Sequence, residues 1–165
     1  MGRVLVGVMG PGGGASDEDE KAAYELGRLI ASEGWALLTG GRAAGVMEAA
    51  SRGAREAGGL TVGVLPGEDE SGASEFVDVA IVTGLGQARN NVNVLSSRVV
   101  VACGMGAGTA AEVALAVKAG RPVVLLNAGD EAEAFFKSLG GERVSTATTP
   151  AGAVEEVKRL LGLYC

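Results

Sequence analysis

The stretch VVVACGMGAGTAAEVALAVKAG, residues 99–120, decides the fold expected for this chain. It begins as an apolar β-branched run, passes through a turn that contains Gly104, Gly106 and Gly108, and ends in an alanine-rich pattern closed by glycine. This order predicts a buried strand, a loop and a helix that begins near Thr109. Glycines let the backbone approach a ligand, and the first amides of a helix lack partners within it. The junction therefore predicts a phosphate-binding loop.

The beginning of that helix, Thr109-Ala110-Ala111-Glu112, also fits a capping box. In a capping box the Thr109 side chain accepts a hydrogen bond from the Glu112 N–H, and the Glu112 carboxylate accepts one from the Thr109 N–H. Glu112 would then be a structural residue. A glycine turn that only connects a strand to a helix is the corresponding structural alternative for the loop.

Two further glycine-rich loops follow predicted strands. The apolar run 3–9 precedes residues 10–14, and the run 35–39 precedes residues 40–45. Because ligands bind at the carboxyl ends of strands in α/β sheets, these loops and residues 104–108 should gather at one edge. Three such loops indicate a phosphorylated ligand with a body that extends past its phosphate. None of them matches the dinucleotide fingerprint or the P-loop, so ordinary NAD or ATP binding is not indicated.

The rest of the chain alternates between strand-like and helix-like patterns. This alternation predicts one α/β domain, residues 1–165, with a single doubly wound, mostly parallel sheet flanked by helices. Further strands are predicted at 60–65, 77–83 (short or at an edge), 123–126 and 143–145, and helices at 17–33, 47–57, 86–95, 131–139 and from Pro150 onward.

Composition excludes several functions. The 165 residues carry a net charge of −6 and no basic run, which disfavours a nucleic-acid partner. The chain has no histidine, which removes imidazole catalysis and most transition-metal sites, and no metal site is expected. Cys103 and Cys165 lack metal-type spacing. The N-terminus shows neither a signal-peptide pattern nor a membrane span, so we expect a cytoplasmic protein without membrane contact.

The predicted helix at 86–95 is unusually polar. Arg89 and Asn93 lie one turn apart on one face, and Asn90 lies beside them. These side chains either contribute to a site or solvate an exposed helix, and the spacing alone favours neither.

Three long segments carry a family resemblance: TGGRAAGVMEAASRGAREAGG (39–59), VTGLGQARNNVNVLSS (82–97) and VACGMGAGTAAEVALAVKAGRPVVLL (101–126). They resemble the Rossmann-like group that contains the "Lonely guy" cytokinin-activating phosphoribohydrolases. Within that group, the GVMGPG start and the GMGxGTAAE segment are most similar to the molybdenum cofactor carrier proteins of green algae and their bacterial relatives.

The sequence departs from the hydrolase pattern at two places. The hydrolases carry a PGGxGTxxE loop whose first three positions fall on Gly104, Met105 and Gly106 here. Their arginine–lysine pair falls on Arg89 and Asn90. The catalytic arginine and glutamate therefore have counterparts in Arg89 and Glu112, but in a changed context that favours binding over hydrolysis.

The resemblance implies a carrier that binds, protects and transfers the molybdenum cofactor, a phosphorylated pterin, without catalysis. It also implies a homo-oligomer, a dimer or tetramer, that exchanges the cofactor with molybdoenzymes, and the dithiolene of the cofactor would hold the metal. The alternatives are a nucleoside 5′-monophosphate phosphoribohydrolase that uses Arg89 and Glu112, or a nucleotide-binding module.

The residues expected to bind the ligand come from the three glycine-rich loops, the polar segment and the beginning of the central helix. They are Gly10, Pro11, Gly12, Gly40, Gly41, Arg42, Gly45, Val46, Arg89, Asn90, Asn93, Gly104, Met105, Gly106, Ala107, Gly108, Thr109 and Glu112.

Overall fold

The computed structural model describes residues 2–162, and its centre is one parallel sheet. Its strands are β1 (Leu5–Met9), β2 (Ala36–Thr39), β3 (Thr61–Leu65), β4 (Val79–Val82), β5 (Val99–Cys103), β6 (Val123–Leu126) and β7 (Val144–Ala147). The spatial order is β4-β3-β2-β1-β5-β6-β7, and every pair of neighbouring strands is parallel. The predicted doubly wound α/β sheet is therefore confirmed.

Helices cover both faces of this sheet. They are α1 (Asp17–Ser32), α2 (Gly45–Glu56), α3 (Arg89–Ser96), α4 (Ala107–Lys118), α5 (Asp130–Gly140) and α6 (Pro150–Leu160). Residues of α1, α2 and α6 share one buried cluster with one face of the central strands, and residues of α3, α4 and α5 share the other. Because both faces are buried, the central strands are continuous apolar runs instead of alternating ones.

Strand β1 shows how side chains divide between the two layers. Val6 and Val8 pack toward α1 and α2, while Met9 packs toward α3 and α4. β1 pairs with β5 in the register Val6↔Val99, so the two central strands end side by side. The loops that follow these strands are thereby placed next to each other.

Two helices begin with side-chain caps. The Ser16 hydroxyl caps α1 through a capping box with Asp19, and Gly34 follows the helix at φ +75°. Thr149 caps α6 by accepting a hydrogen bond from the Gly152 N–H at 3.0 Å, and Pro150 is its first residue.

The capping box predicted at Thr109 and Glu112 is wrong. Helix α4 begins two residues earlier than expected, at Ala107, with Gly106 in the capping position. Gly104, at φ +77°, turns the chain sharply enough after β5 for the helix to start at once. Thr109 and Glu112 therefore lie inside the helix, where neither side chain caps its end.

Several other boundaries differ from the sequence prediction, and α2 begins at Gly45 instead of Met47. The segment 86–95 begins as a 3₁₀ turn, Gly86–Ala88, before α3 starts at Arg89. The last strand ends at Ala147 instead of Ser145. No helix within residues 2–162 is long and apolar enough to cross a membrane, and Cys165 lies outside the described residues.

Candidate functional site

The candidate site is a cavity of about 590 Å³ at the carboxyl ends of β1 and β5. Strand order reverses between these two strands, because β1 leads to β2 on one side and pairs with β5 on the other. Such a reversal separates the loops of the two halves and leaves a crevice for a ligand. The loops after β1 and β2, the turn before α3 and the beginning of α4 line it.

The beginning of α4 has the features of an anion site. No side chain caps this end of the helix, so the amides of Ala107, Gly108 and Thr109 keep their hydrogen-bonding capacity. These three residues line the cavity, and a Cβ at Gly108 would meet no atom within 4 Å. The open approach and the positive end of the helix dipole favour a bound anion here.

Arg89 provides a buried cation at the cavity wall. It is 9% exposed, and its Nη1 donates a hydrogen bond of 2.9 Å to the Val64 carbonyl oxygen. Its Nε has no partner within the described residues. Burial lowers the pKa of Arg89, the charge of Glu112 opposes this, and Arg42 adds to it. Arg89 is thus a guanidinium held by the Val64 carbonyl oxygen, with a buried N–H on Nε that has no partner within the described residues.

Gly40 makes room for this guanidinium. A Cβ at Gly40 would overlap Arg89 Nη1 and would lie 2.7 Å from the Met47 sulfur. The loop after β2 therefore needs glycine here so that Arg89 can lie against its backbone.

Glu112 and Asn93 form a polar pair on the seam between α3 and α4. Asn93 Nδ2 donates a hydrogen bond of 3.2 Å to Glu112 Oε1. Asn93 is fully buried and Glu112 is 8% exposed. Burial raises the pKa of the Glu112 carboxyl to about 7, against the opposing effects of the Asn93 hydrogen bond and the Arg89 charge. The structure thus places Arg89 and Asn93 inside the protein, not on a solvated helix face.

Two buried polar atoms near this pair also lack partners within the described residues: Asn93 Oδ1 and Thr109 Oγ1. Buried groups of this kind usually have hydrogen bonds, so unpaired ones beside a cavity indicate a missing ligand or water. Thr109 and Arg89 line the cavity, so Thr109 Oγ1 and Arg89 Nε offer a hydroxyl and a donor to such a molecule.

Most of the residues expected from the sequence line the cavity together. Arg42 is exposed there and Asn90 is half-buried. The lining includes Gly10, Pro11, Gly12, Gly40, Arg42, Arg89, Asn90, Gly106, Ala107, Gly108, Thr109 and Glu112.

Six of the expected residues, Gly41, Gly45, Val46, Asn93, Gly104 and Met105, are outside this lining. Gly41 packs against Gly63, and a Cβ at Gly45 would overlap the Gly12 carbonyl oxygen.

The remaining four of these residues support the cavity from behind. The Val46 side chain is buried in the core, and the Gly104 N–H donates a 2.8 Å hydrogen bond to the Leu126 carbonyl oxygen. Met105 packs against the cluster shared with α4, and Asn93 reaches the cavity only through Glu112.

Sequence reasoning missed several lining residues. Val8 and Met9 end β1, Met47 and Ala111 follow two of the predicted loops by a few positions on helices, and Gln87 lies in the 3₁₀ turn before α3. Helical spacing from Gly108 could have indicated Ala111. The remaining missed residues, Pro66 and Gly86, follow β3 and β4, where no glycine-rich motif pointed to a site.

Together these features define a Rossmann-like α/β domain with a cavity at its switch point, lined by two arginines and an uncapped helix end. A family model described as the SLOG cluster4 family matches residues 3–154, and the chain belongs to this family.

Solved structures and a curated relative are similar to this chain. The molybdenum cofactor binding protein of Rippkaea orientalis is 53% identical, with a TM-score of 0.96 over 98% of this chain and 99% of the other. The molybdenum cofactor carrier protein of Chlamydomonas reinhardtii is 56% identical, with a TM-score of 0.92 over 97% and 99%. An uncharacterized protein of Archaeoglobus fulgidus is 41% identical over 76% of this chain and 82% of its own length.

Proposed function

We propose that this protein binds the molybdenum cofactor, protects it and passes it on without cleaving it. The observation that carries the proposal is the cavity at the uncapped beginning of α4, in a chain that is similar along almost all of its length to two molybdenum cofactor proteins. The phosphate of the cofactor would bind the free amides at the beginning of α4. Arg42 and Arg89 would add charge-assisted hydrogen bonds.

The cavity suits the rest of such a ligand as well. Its volume of about 590 Å³ lies within the usual range for small-molecule sites. Met9 and Met47 provide apolar wall, while none of the described residues that line it is aromatic. The pterin ring would therefore be held by backbone groups, arginine and methionine instead of by stacking on an aromatic ring.

A nucleoside monophosphate phosphoribohydrolase remains the second candidate, because Arg89 and Glu112 both line the cavity. A hydrolase of this kind needs an ionised carboxylate beside the ribose. Burial raises the pKa of Glu112 to about 7, which disfavours the ionised form. The two candidates make opposite predictions for a nucleotide substrate: the carrier leaves it intact and the hydrolase releases the base.

One experiment separates them. The purified protein is incubated with intact cofactor and, separately, with AMP, and mass spectrometry identifies what is retained and what is cleaved. We expect retained, intact cofactor and unchanged AMP. Arg89→Ala should lose most of the retained cofactor, while Arg28→Ala, on the exposed surface of α1, should retain it. Release of adenine by the parent, lost in Glu112→Gln, would identify a hydrolase.

We also propose that the protein works in the cytoplasm as a dimer or tetramer that exchanges its cofactor with molybdoenzymes. Exposed apolar side chains on edge strand β4 and nearby, Val79, Ile81, Leu85 and Leu95, support self-association. Sedimentation velocity tests this assembly. Ile81→Lys should shift the protein toward monomer. An unchanged oligomeric state in this variant would show that the interface does not include β4.

A further inference from the structure

Glu112 is the one acidic residue in the lining of a cavity whose other charged residues, Arg42 and Arg89, are cationic. Side chains on a helix tilt toward its N-terminus, so the Glu112 carboxyl lies toward the end of α4 where the anion would bind. Thr109 is three residues earlier on the same helix face. A charged carboxylate here would repel the anionic ligand that the cavity otherwise attracts.

The groups around Glu112 do not neutralise this charge by pairing. Within the described residues, Glu112 forms no ion pair; the charge of Arg89 on α3 acts on it without direct pairing, and Arg42 from the loop after β2 acts on Arg89. The remaining lining residues, from β1, its following loop, the 3₁₀ turn and α4, are uncharged. Burial therefore dominates, and it raises the pKa of the carboxyl to about 7.

Asn93 is able to hold this carboxyl in either protonation state. Its Nδ2 donates to Glu112 Oε1 when the group is ionised, while its Oδ1 has no partner within the described residues. Rotation of the amide by half a turn would present Oδ1 to accept a hydrogen bond from the protonated carboxyl. Because Asn93 is fully buried, no solvent competes for either arrangement.

We infer that Glu112 binds the anionic ligand as a neutral carboxyl group, so that binding at pH 8 is accompanied by uptake of one proton from solvent. The carboxyl O–H then donates a hydrogen bond to Asn93 Oδ1, and the neutral group no longer repels the ligand. The proton leaves Glu112 when the ligand leaves, so rising pH favours release. This inference rests on the proposed function only in that the ligand is an anion.

The test uses inorganic sulfate, whose charge is constant between pH 6 and pH 8, with the parent protein, Glu112→Gln and the control Glu131→Gln. Glu131 is exposed in the first turn of α5. Isothermal titration calorimetry should show that the parent and Glu131→Gln bind sulfate about tenfold more weakly at pH 8 than at pH 6, as protonation of one group with a pKa near 7 requires. Glu112→Gln should bind sulfate with the same affinity at both pH values.

A second measurement needs only the parent. Titrations at pH 8 in two buffers of different ionisation enthalpy give the number of protons taken up, which should be close to one for each sulfate bound. The chain has no histidine to add to this count. A count near zero, a pH dependence shared by the parent and Glu112→Gln, or no sulfate binding at either pH would overturn the inference. Loss of cofactor retention alone would overturn the proposed function instead.

Discussion

The loops after β2 and β5 are both rich in glycine, but their glycines have different roles. In the first loop, Gly45 has φ +49° and a Cβ there would overlap the Gly12 carbonyl oxygen. In the second, a Cβ at Gly106 would meet Pro11 only at 3.6 Å, and one at Gly108 would meet nothing within 4 Å. The first loop uses glycine to pack chain against chain. The second leaves the backbone open at Gly106 and Gly108, although a Cβ at Gly104, at φ +77°, would lie 2.8 Å from the Asp19 carboxyl carbon.

The largest expected effect tests the packing role. Gly45→Ala should destabilise the protein by about 2–5 kcal/mol, because it combines a strained backbone with overlap against a carbonyl oxygen. Urea unfolding measures the loss. Gly58→Ala is the matched control, since Gly58 also has positive φ, at +77°, but open space around it. Equal losses in the two variants would show that backbone conformation alone, not close packing, requires glycine at Gly45.

The next effect concerns Glu112 on α4, the helix that follows the second loop. Burial raises the pKa of Glu112 from 4.5 to about 7, so the folded state binds this proton more tightly than the unfolded state. The resulting stabilisation is present below pH 4.5 and is lost as pH rises to about 7, at most about 3 kcal/mol. Glu112→Gln stays neutral, so its stability relative to the parent should increase over that range.

Thermal or urea unfolding at several pH values checks this prediction. Glu131→Gln, with its carboxyl exposed on α5, should follow the parent curve. Parallel curves for Glu112→Gln and the parent would mean that the carboxyl is solvated, and that the beginning of α4 is less enclosed than the structure shows.

The two arginines near these loops should differ in a measurable way. Arg89→Ala should weaken cofactor binding by roughly ten- to a hundredfold and also cost about 1.5–3 kcal/mol of stability, because the buried guanidinium binds the Val64 carbonyl oxygen. Exposed Arg42 should affect binding, by up to about tenfold, with stability unchanged. Retention assays and urea unfolding measure both quantities. An Arg42→Ala variant with reduced stability would contradict this division.

A small stability effect is expected at Gly106. This residue has φ −155°, which any residue adopts, so Gly106→Ala should change stability by less than about 1 kcal/mol. Its methyl group would stand beside the free amides of α4 and should weaken sulfate binding several-fold. Gly13→Ala, in open space outside the cavity lining, should change neither. A large loss of stability in Gly106→Ala would show that the second loop, like the first, needs glycine for packing.

The sequence predicted the fold well because its signals are local. Apolar runs, glycine turns and helix caps such as Ser16 and Thr149 act over a few residues, so they identify elements and their order. Alternating strands and helices give a parallel sheet, and the loops that follow its strands lie at one edge of that sheet. The error at Thr109 and Glu112 has a local cause as well: the pattern of a capping box was present, but Gly104 and Gly106 started the helix earlier.

By itself the sequence determined the α/β sheet, the three loops and the residue types available for chemistry, since these follow from periodicity and composition. Only the tertiary structure decided which glycines face a ligand, because that depends on what lies opposite each one. It also decided that Arg89 binds Val64, 25 positions away, and that Asn93 binds Glu112, 19 positions away. Burial and charge at such contacts depend on helices and strands that are distant in sequence, and no local pattern encodes them.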